Sequence, residues 1–377
     1  LATIEIPAPA GEIAPHWLSY PGPPRADVLL PAGYNRRTQY PLVVFLNGLD
    51  FDYASYANYG LTAPFDHLGA IVVMPEGGNG WYTDWWNDGT RGDPSWESYE
   101  LDTVIPAVLA RYPVLPERGE HALIGISMGG LGAVYLGGRL PGFFGSVATL
   151  SGFVDTGLNG AALQPTMALF SQAALKGDDD PDPVDGPPGG FYAAGHDPAL
   201  LVGNLAHTRV FETTGTGVPS RAEPRPTQFE TLEERSVIYP MNERYHRALV
   251  AAHVDVTYQV HTGNHDIPDF LAEIRAMLAW GLFEPVVAEP VSWTDRTVAT
   301  TGQLWDLDYR FAAPPTRVVT FHQRGTTLTI SAAGSAVTIT TGAGCAVHSA
   351  TPATVHLPDR TPVSPRRPEA VARRPCR

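Results

Sequence analysis

Gly125-Ile126-Ser127-Met128-Gly129 sets a serine midway between two glycines. The apolar stretch His121–Ile126 precedes it, and a small-residue run opening near Gly129 follows. On a sharp strand-to-helix turn the serine Oγ projects above the sheet edge, and glycines on either side relieve crowding at the strained backbone. The helix N-terminus that follows adds positive dipole where an oxyanion would form. The five-residue motif is weak alone; strand, serine and helix in this order make Ser127 the candidate nucleophile. A serine hydroxyl needs a base, and the base needs an acid to hold it. His265 fits the base: it lies in Thr262-Gly263-Asn264-His265, between the strand-like Asp255–Val260 and the helix-like Pro268–Trp280. His261 is the rival, but it sits on the strand end rather than the loop. The acid should lie between serine and histidine along the chain. Glu230, Glu233 and Glu234 all qualify, and the residues alone leave the three open; Asp255 begins a strand and is badly placed.

Positioning these groups takes a sheet. Pro41–Leu46, Ala70–Met74, Ala122–Ile126, Ser146–Leu150, Arg209–Thr213 and Asp255–Val260 are short apolar runs that read as buried strands. Tyr99–Ala110, Met128–Leu140, Met241–Ala252 and Pro268–Trp280 carry apolar residues at helical spacing. His16–Leu30 reads as a leading antiparallel pair. The expected fold class is therefore α/β, a mostly parallel sheet with helices on both faces, of the α/β-hydrolase type, over residues 1–285. From Val286 the texture changes to short Thr- and Val-rich runs, Thr316–His322, Thr326–Ser331, Ala336–Thr341 and Ala353–Leu357, separated by Gly- and Pro-containing turns. Residues 286–359 are thus expected to form a small all-β accessory domain, and 360–377 a basic, flexible tail. Trp293 and Trp305 read as buried in that β-core.

The formal net charge of −14 argues against nucleic acid, whose binders need basic surfaces. Six arginines against one glutamate crowd Arg360–Arg377, a tail that could touch an anionic cell envelope. No apolar run approaches the roughly 18–20 residues that span a bilayer. Cys345 and Cys376, the only cysteines, read as one disulfide pinning the C-terminal segment, contributing about 3–4 kcal/mol in the loop-entropy picture. A disulfide and a first residue other than Met suggest a processed, secreted or envelope-associated protein. Asp178, Asp180 and Asp182 alternate like a calcium loop, yet position twelve from Asp178 is Gly189, so no closing Glu is present and no metal site is assigned. Replacing the loop Asp178–Gly190 is expected to alter substrate length preference, because insertions here usually cap the site in this fold. The aromatic run Trp81-Tyr82-Thr83-Asp84-Trp85-Trp86 either walls a pocket or packs beneath it; Trp81, Asp84 and Trp85 are kept as substrate-binding candidates.

Over about residues 14–282 the chain resembles the mycolyltransferase (antigen 85-like) and esterase D-like group of α/β-hydrolases. The resemblance rests on motifs in order: Leu46-Asn47-Gly48-Leu49, Gly77-Gly78 with Trp81-Tyr82-Thr83-Asp84-Trp85, Gly125–Gly130, His196-Asp197-Pro198, and Gly263-Asn264-His265. It implies a Ser-Glu-His set whose glutamate, by the match at Thr231-Leu232-Glu233, is Glu233 rather than Glu234. It also implies an oxyanion hole made by the backbone N–H groups of Leu49 and Met128. Two departures bear on function. Where the mycolyltransferases carry an Asp and an Arg that help hold a trehalose acceptor, this chain has Asn47 and Asp50. After the histidine, Asp266-Ile267-Pro268 replaces a Ser-Trp-containing run. The expectation is a serine carboxylesterase working through an acyl-enzyme on acyl esters, lipid or sugar esters of an envelope among them, without a cofactor. Acyl transfer to a sugar hydroxyl is the alternative, and a non-enzymatic envelope-binding protein on the same fold the contrasting class.

Overall fold

The computed structural model describes residues 1–86, 94–157, 184–187, 189–342, 344–358 and 374–375. The strands are β1 (Ala2–Glu5), β2 (Arg25–Leu29), β3 (Leu42–Leu46), β4 (Ile71–Pro75), β5 (His121–Ile126), β6 (Ser146–Leu150), β7 (Arg209–Gly215) and β8 (Val256–His261). They form one sheet in the order β1-β2-β4-β3-β5-β6-β7-β8. From β4 to β8 all neighbours run parallel, whereas β1 and β2 are antiparallel to each other and β2 is antiparallel to β4. The leading pair differs from expectation: β1 lies wholly before His16, because Pro15–Trp17 makes a single 3-10 turn.

Every residue of β3, β4, β5 and β6 is buried, as a sheet covered on both faces requires. Alternate side chains feed two cores. Val44, Leu46 and Val73 join one with Leu131 and Tyr135 of helix α2 (Met128–Arg139) and Met241 and Tyr245 of α4 (Tyr239–Ala251). Helix α1 (Ile105–Arg111) adds Ile105 and Val108 to it. Val43, Phe45 and Val72 join the other with Phe270, Ile274 and Met277 of α5 (Ile267–Trp280). A short helix α3 (Gln228–Glu233) buries none of its residues. The strand order reverses about β3, which lies between β4 and β5. Open α/β sheets bind ligands beyond the strands' carboxyl ends at such a switch point.

The C-terminal region is all β. Strands β9 (Ser292–Thr297), β12 (Val319–Arg324), β13 (Thr327–Ile330) and β16 (Ala353–His356) form a sheet ordered β16-β13-β12-β9. Strands β10 (Thr301–Leu304), β11 (Leu307–Phe311), β14 (Val337–Thr341), β15 (Cys345–Ser349) and β17 (Arg374–Pro375) form a second, in the order β10-β11-β14-β15-β17. Pairing is antiparallel except for β17, which runs parallel to β15. Alternate residues of both sheets meet in one core that includes Trp293, Trp305, Phe311, Phe321, Leu328 and Ile339. Cys345 opens β15; Cys376, its expected partner, lies outside the described residues, as do most of the acidic loop Asp178–Gly190 and of the basic tail.

This region is tied to the α/β part at the amino-terminal edge of the strands. Arg118, just before β5, donates to Val287 O at 3.2 Å and stacks over Trp305. Arg139, the last residue of α2, donates to Tyr309 Oη and Thr301 O. Asn204 exchanges two hydrogen bonds with the Arg296 backbone. Among the described residues, no helix is long and apolar enough to cross a membrane.

Candidate active site

Ser127 follows β5 and stands at the N-cap of α2 with φ 56° and ψ −120°. That conformation costs a non-glycine residue about 1–3 kcal/mol, so the surroundings must hold it. The neighbouring glycines are what allow it: a Cβ on Gly125 would stand 2.0 Å from Gly129 O, and one on Gly129 would stand 2.2 Å from Leu46 O. The Ser127 amide donates to Leu150 O of β6, and its carbonyl accepts from Gly130, Leu131 and Phe153.

His265 reaches Ser127 from the loop between β8 and α5. Its Nε2 is 2.9 Å from Ser127 Oγ, and its Nδ1 is 2.8 Å from Glu234 Oε2. The loop is pinned. Asp266 caps α5 by accepting from Asp269 N, Asp269 accepts from Asn264 N, and Gly263 O accepts from Gly217 N. The imidazole stands edge-on to Phe270.

The carboxylate that bonds the imidazole is Glu234, which corrects the expectation of Glu233. The three candidate glutamates separate by local geometry. Glu230 closes a capping box with Thr227 at the start of α3, its carboxylate accepting from Thr227 N. Glu233, the last residue of α3, is half-buried. At Glu234 the ladder passes into a π turn, Glu234–Ile238, and the wider turn points Glu234 inward, leaving it 0% exposed. Its Oε1 accepts from Ser151 Oγ, Thr214 Oγ1 and Gly215 N at 2.7–2.9 Å. Burial pushes this carboxyl up, but the hydrogen bond and charge of His265, with Thr214 and Ser151, hold it below the ordinary glutamate value. Burial works against charge on His265; the Glu233 charge, then the Glu234 hydrogen bond and charge, raise the imidazole to about 9. Glu233 therefore acts on the imidazole through space.

The loop after β3 faces the serine: a Cβ on Gly48 would lie 3.5 Å from Ser127 Cβ. Met128 is the first residue of α2, where an amide has no intrahelical acceptor. Leu49, half-buried, packs against the core. Met128 directly follows the serine in sequence, and Leu49 follows Gly48, the residue that faces it.

Asn47 proves to be a clamp for that loop and is 1% exposed. Its amide nitrogen donates to Gly48 O, Phe51 O and Gly78 O, while its Oδ1 accepts from Gly77 N and Tyr82 Oη. No capacity remains for a substrate, which corrects its assignment as a substrate contact. Asp84 and Trp85 are likewise committed inward. Asp84 accepts from Ser98 N and Oγ, and Trp85 donates to Gly80 O. Trp81, buried with φ 57°, packs its ring 5.2 Å from that of Phe153, whose amide bonds the Ser127 carbonyl. Of the aromatic run, Trp81 borders the site. A cavity of about 1690 Å³ has walls that include Arg139, Trp305 and Tyr309, but neither Ser127 nor His265; it belongs to the seam with the β region. Ser151, Thr214 and Glu273 escaped the sequence reading, since no spacing marks a residue that serves another from behind.

Residues 19–280 match the family model described as "Putative esterase". The chain belongs to this esterase family, whose fold here is the α/β-hydrolase fold. Esterase Rv1288 of Mycobacterium tuberculosis is 30% identical over 133 residues, covering 34% of this chain and 29% of that protein; the chain thus spans less than a third of that relative. The diacylglycerol acyltransferase/mycolyltransferase Ag85A of Mycobacterium gordonae is 28% identical over 282 residues, 69% of this chain and 80% of that one. Among solved structures, the serine hydrolase FphF of Staphylococcus aureus superposes with a TM-score of 0.55 at 17% identity, covering 75% of this chain and 98% of its own. That likeness concerns the fold.

Proposed function

We propose that the protein is a serine carboxylesterase that cleaves acyl esters through an acyl-enzyme. The observation that carries this reading is the unbroken line Ser127 Oγ, His265, Glu234, with spacings of 2.9 and 2.8 Å, at a serine with φ 56°. Ser127 Oγ attacks the ester carbonyl carbon while its proton passes to His265 Nε2. The Leu49 and Met128 amides receive the oxyanion, each such donor being worth about 2.7–4 kcal/mol in the transition state. Glu234 keeps Nδ1 protonated and steadies the imidazolium. The tetrahedral intermediate collapses, His265 returns the proton to the departing alkoxide, and the alcohol leaves. Water then attacks the acyl-serine with His265 as base, and the acid departs as Ser127 regains its proton.

Hydrolysis is favoured over transfer to a sugar because the two positions that would shape an acceptor site are otherwise engaged. Asn47 is turned inward, and Asp50 exchanges hydrogen bonds with Asn79. A relative that is an acyltransferase keeps transfer as the second reading. The pairing of Cys345 with Cys376, and the secreted setting it implies, belong to the same proposal; β17, beside Cys345, supports them.

The test is turnover of p-nitrophenyl esters of increasing chain length, with and without trehalose, alongside labelling by a fluorophosphonate. Turnover and labelling that vanish in Ser127→Ala, and a rate indifferent to sugar, are expected. A product shifted to acylated sugar would make the protein a transferase. An unlabelled serine and no turnover would overturn the reading.

A further inference from the structure

The hydrogen-bonded line does not stop at Glu234. Ser151 Oγ lies 2.9 Å from Glu234 Oε1 and 2.8 Å from Glu273 Oε1. Glu273 Oε1 in turn lies 2.8 Å from His261 Nε2. The path from Ser127 thus runs through His265, Glu234, Ser151 and Glu273 to His261, whose side chain is 29% exposed. The backbone fixes Ser151 in this path, since the residue follows β6 with φ 42° and its amide donates to Thr213 O.

A hydroxyl has one proton to donate, so Ser151 cannot donate to both carboxylates at once. Glu234 has three other donors in His265, Thr214 and Gly215. Glu273 is fully enclosed, its Oε2 has no partner, and beyond Ser151 it depends on His261. His261 Nδ1 meets Thr262 O and its Nε2 meets Glu273; two acceptors on one ring favour the imidazolium. A buried carboxylate with one cation at its side titrates as part of a pair.

We propose that Ser151, Glu273 and His261 are positioning residues that extend the Ser127–His265–Glu234 line to the surface. The state of the Glu273–His261 pair sets how Ser151 divides its proton and how much negative charge stands behind His265. With the pair ionised, Glu273 adds its charge to those holding the His265 proton. With Glu273 protonated, its O–H donates to Ser151, the Ser151 hydroxyl is committed to Glu234, and His265 surrenders its proton more readily. The groups facing this chain are Glu233 at the end of α3, Glu234 from the turn after it, Asp269 on α5, His265 on the loop and His261 on β8. Glu273 counts among the charges that raise His265, and burial, against the hydrogen bond and charge of His261 and with the charge of Glu234, brings Glu273 itself to about 7.

This inference rests on the esterase reading for its kinetic consequence, so its test has a second readout. The pH dependence of kcat/KM would be followed for the unaltered protein, Glu273→Gln, His261→Gln and the double variant. The His265 ring signals would be titrated by NMR in each, with Ser127→Ala introduced as well. Both single variants should lower the His265 inflection by about half a pH unit or more, and the double variant should go no lower than Glu273→Gln. Inflections unmoved while kcat falls would reduce the three residues to structural support and overturn the proposal, as would shifts that simply add. His261 lies at the surface, so its variant keeps the test open should Glu273→Gln not fold. Absence of ester turnover would sink the esterase reading while the NMR titration still judged this one.

Discussion

Glu233 and Glu234 are adjacent carboxyls that stand in different relations to one histidine. Glu234 spends an oxygen on Nδ1, so Glu234→Gln should remove the acceptor that fixes the tautomer and lower kcat by about 10²–10⁴-fold. Glu233 contributes charge rather than a bond. Because the imidazole must be neutral to take the Ser127 proton, activity should rise with pH through its folded value near 9. Glu233→Gln removes the foremost charge that raises this value, so the inflection should fall toward the ordinary histidine range while kcat on the high-pH plateau is retained. A pH–rate profile of both variants checks the pair; a Glu233→Gln profile superimposable on the parent would show that the charge is screened.

At the scale of elements, the strand, turn and helix around Ser127 leave no room for a methyl group. Gly125→Ala would drive a Cβ into the Gly129 carbonyl, and backbone cannot step aside as a side-chain tip can. A loss of about 3 kcal/mol, the upper end of ordinary overpacking, is expected in urea denaturation. The loop after β3 is held more loosely, by one side chain. Asn47→Ala should free that loop together with Gly77 and Tyr82, lowering kcat by about tenfold or more through misplaced oxyanion donors, with KM nearly unchanged. A rise in KM with kcat intact would return Asn47 to the role of a substrate contact. Elements were largely legible in the sequence: Ser146–Leu150 and Arg209–Thr213 begin where β6 and β7 begin, because buried parallel strands are short, apolar and bounded by turns. Strands β9 to β11 and β15 were not, since Ser292–Thr297 and Cys345–Ser349 mix polar with apolar residues and become strands by pairing.

Across the whole molecule, a buried ionic cluster joins the two regions on the side away from Ser127. Arg139, 3% exposed, bonds Glu97 at 2.6 Å and also reaches Tyr309 and Thr301. Removing one partner of such a pair strands the other, so Arg139→Ala should cost about 3–5 kcal/mol by denaturation, with kcat per folded molecule kept. Asp295 on β9 is also enclosed, with neither carboxylate oxygen hydrogen-bonded. Burial, against the pull of Arg139, pushes it up to about 8. A carboxyl raised in the folded state contributes stability that is full below its unfolded value near 4 and lost as pH rises through 8. The Tm advantage of Asp295→Asn should therefore grow between pH 5 and pH 9; an equal advantage at both would argue that the carboxyl is already paired.

What the sequence alone determined follows from local rules. Gly125 beside Ser127 is required by backbone crowding against Gly129 within five residues, and His265 is singled out by its place between a strand and a helix. Buried strands announce themselves by continuous apolarity. What only the tertiary structure decided depends on direction at the end of an element. One π turn moved the hydrogen bond from Glu233 to Glu234, a choice that helical spacing cannot make between neighbours. Asn47 turns inward because Gly77, from the loop after β4, stands there to receive it, and Asp84 and Trp85 because Ser98 and Gly80 do. Ser151 and Glu273 come together from the end of β6 and from α5, 122 residues apart, and proximity of that kind is created by the fold and written in no single stretch of chain.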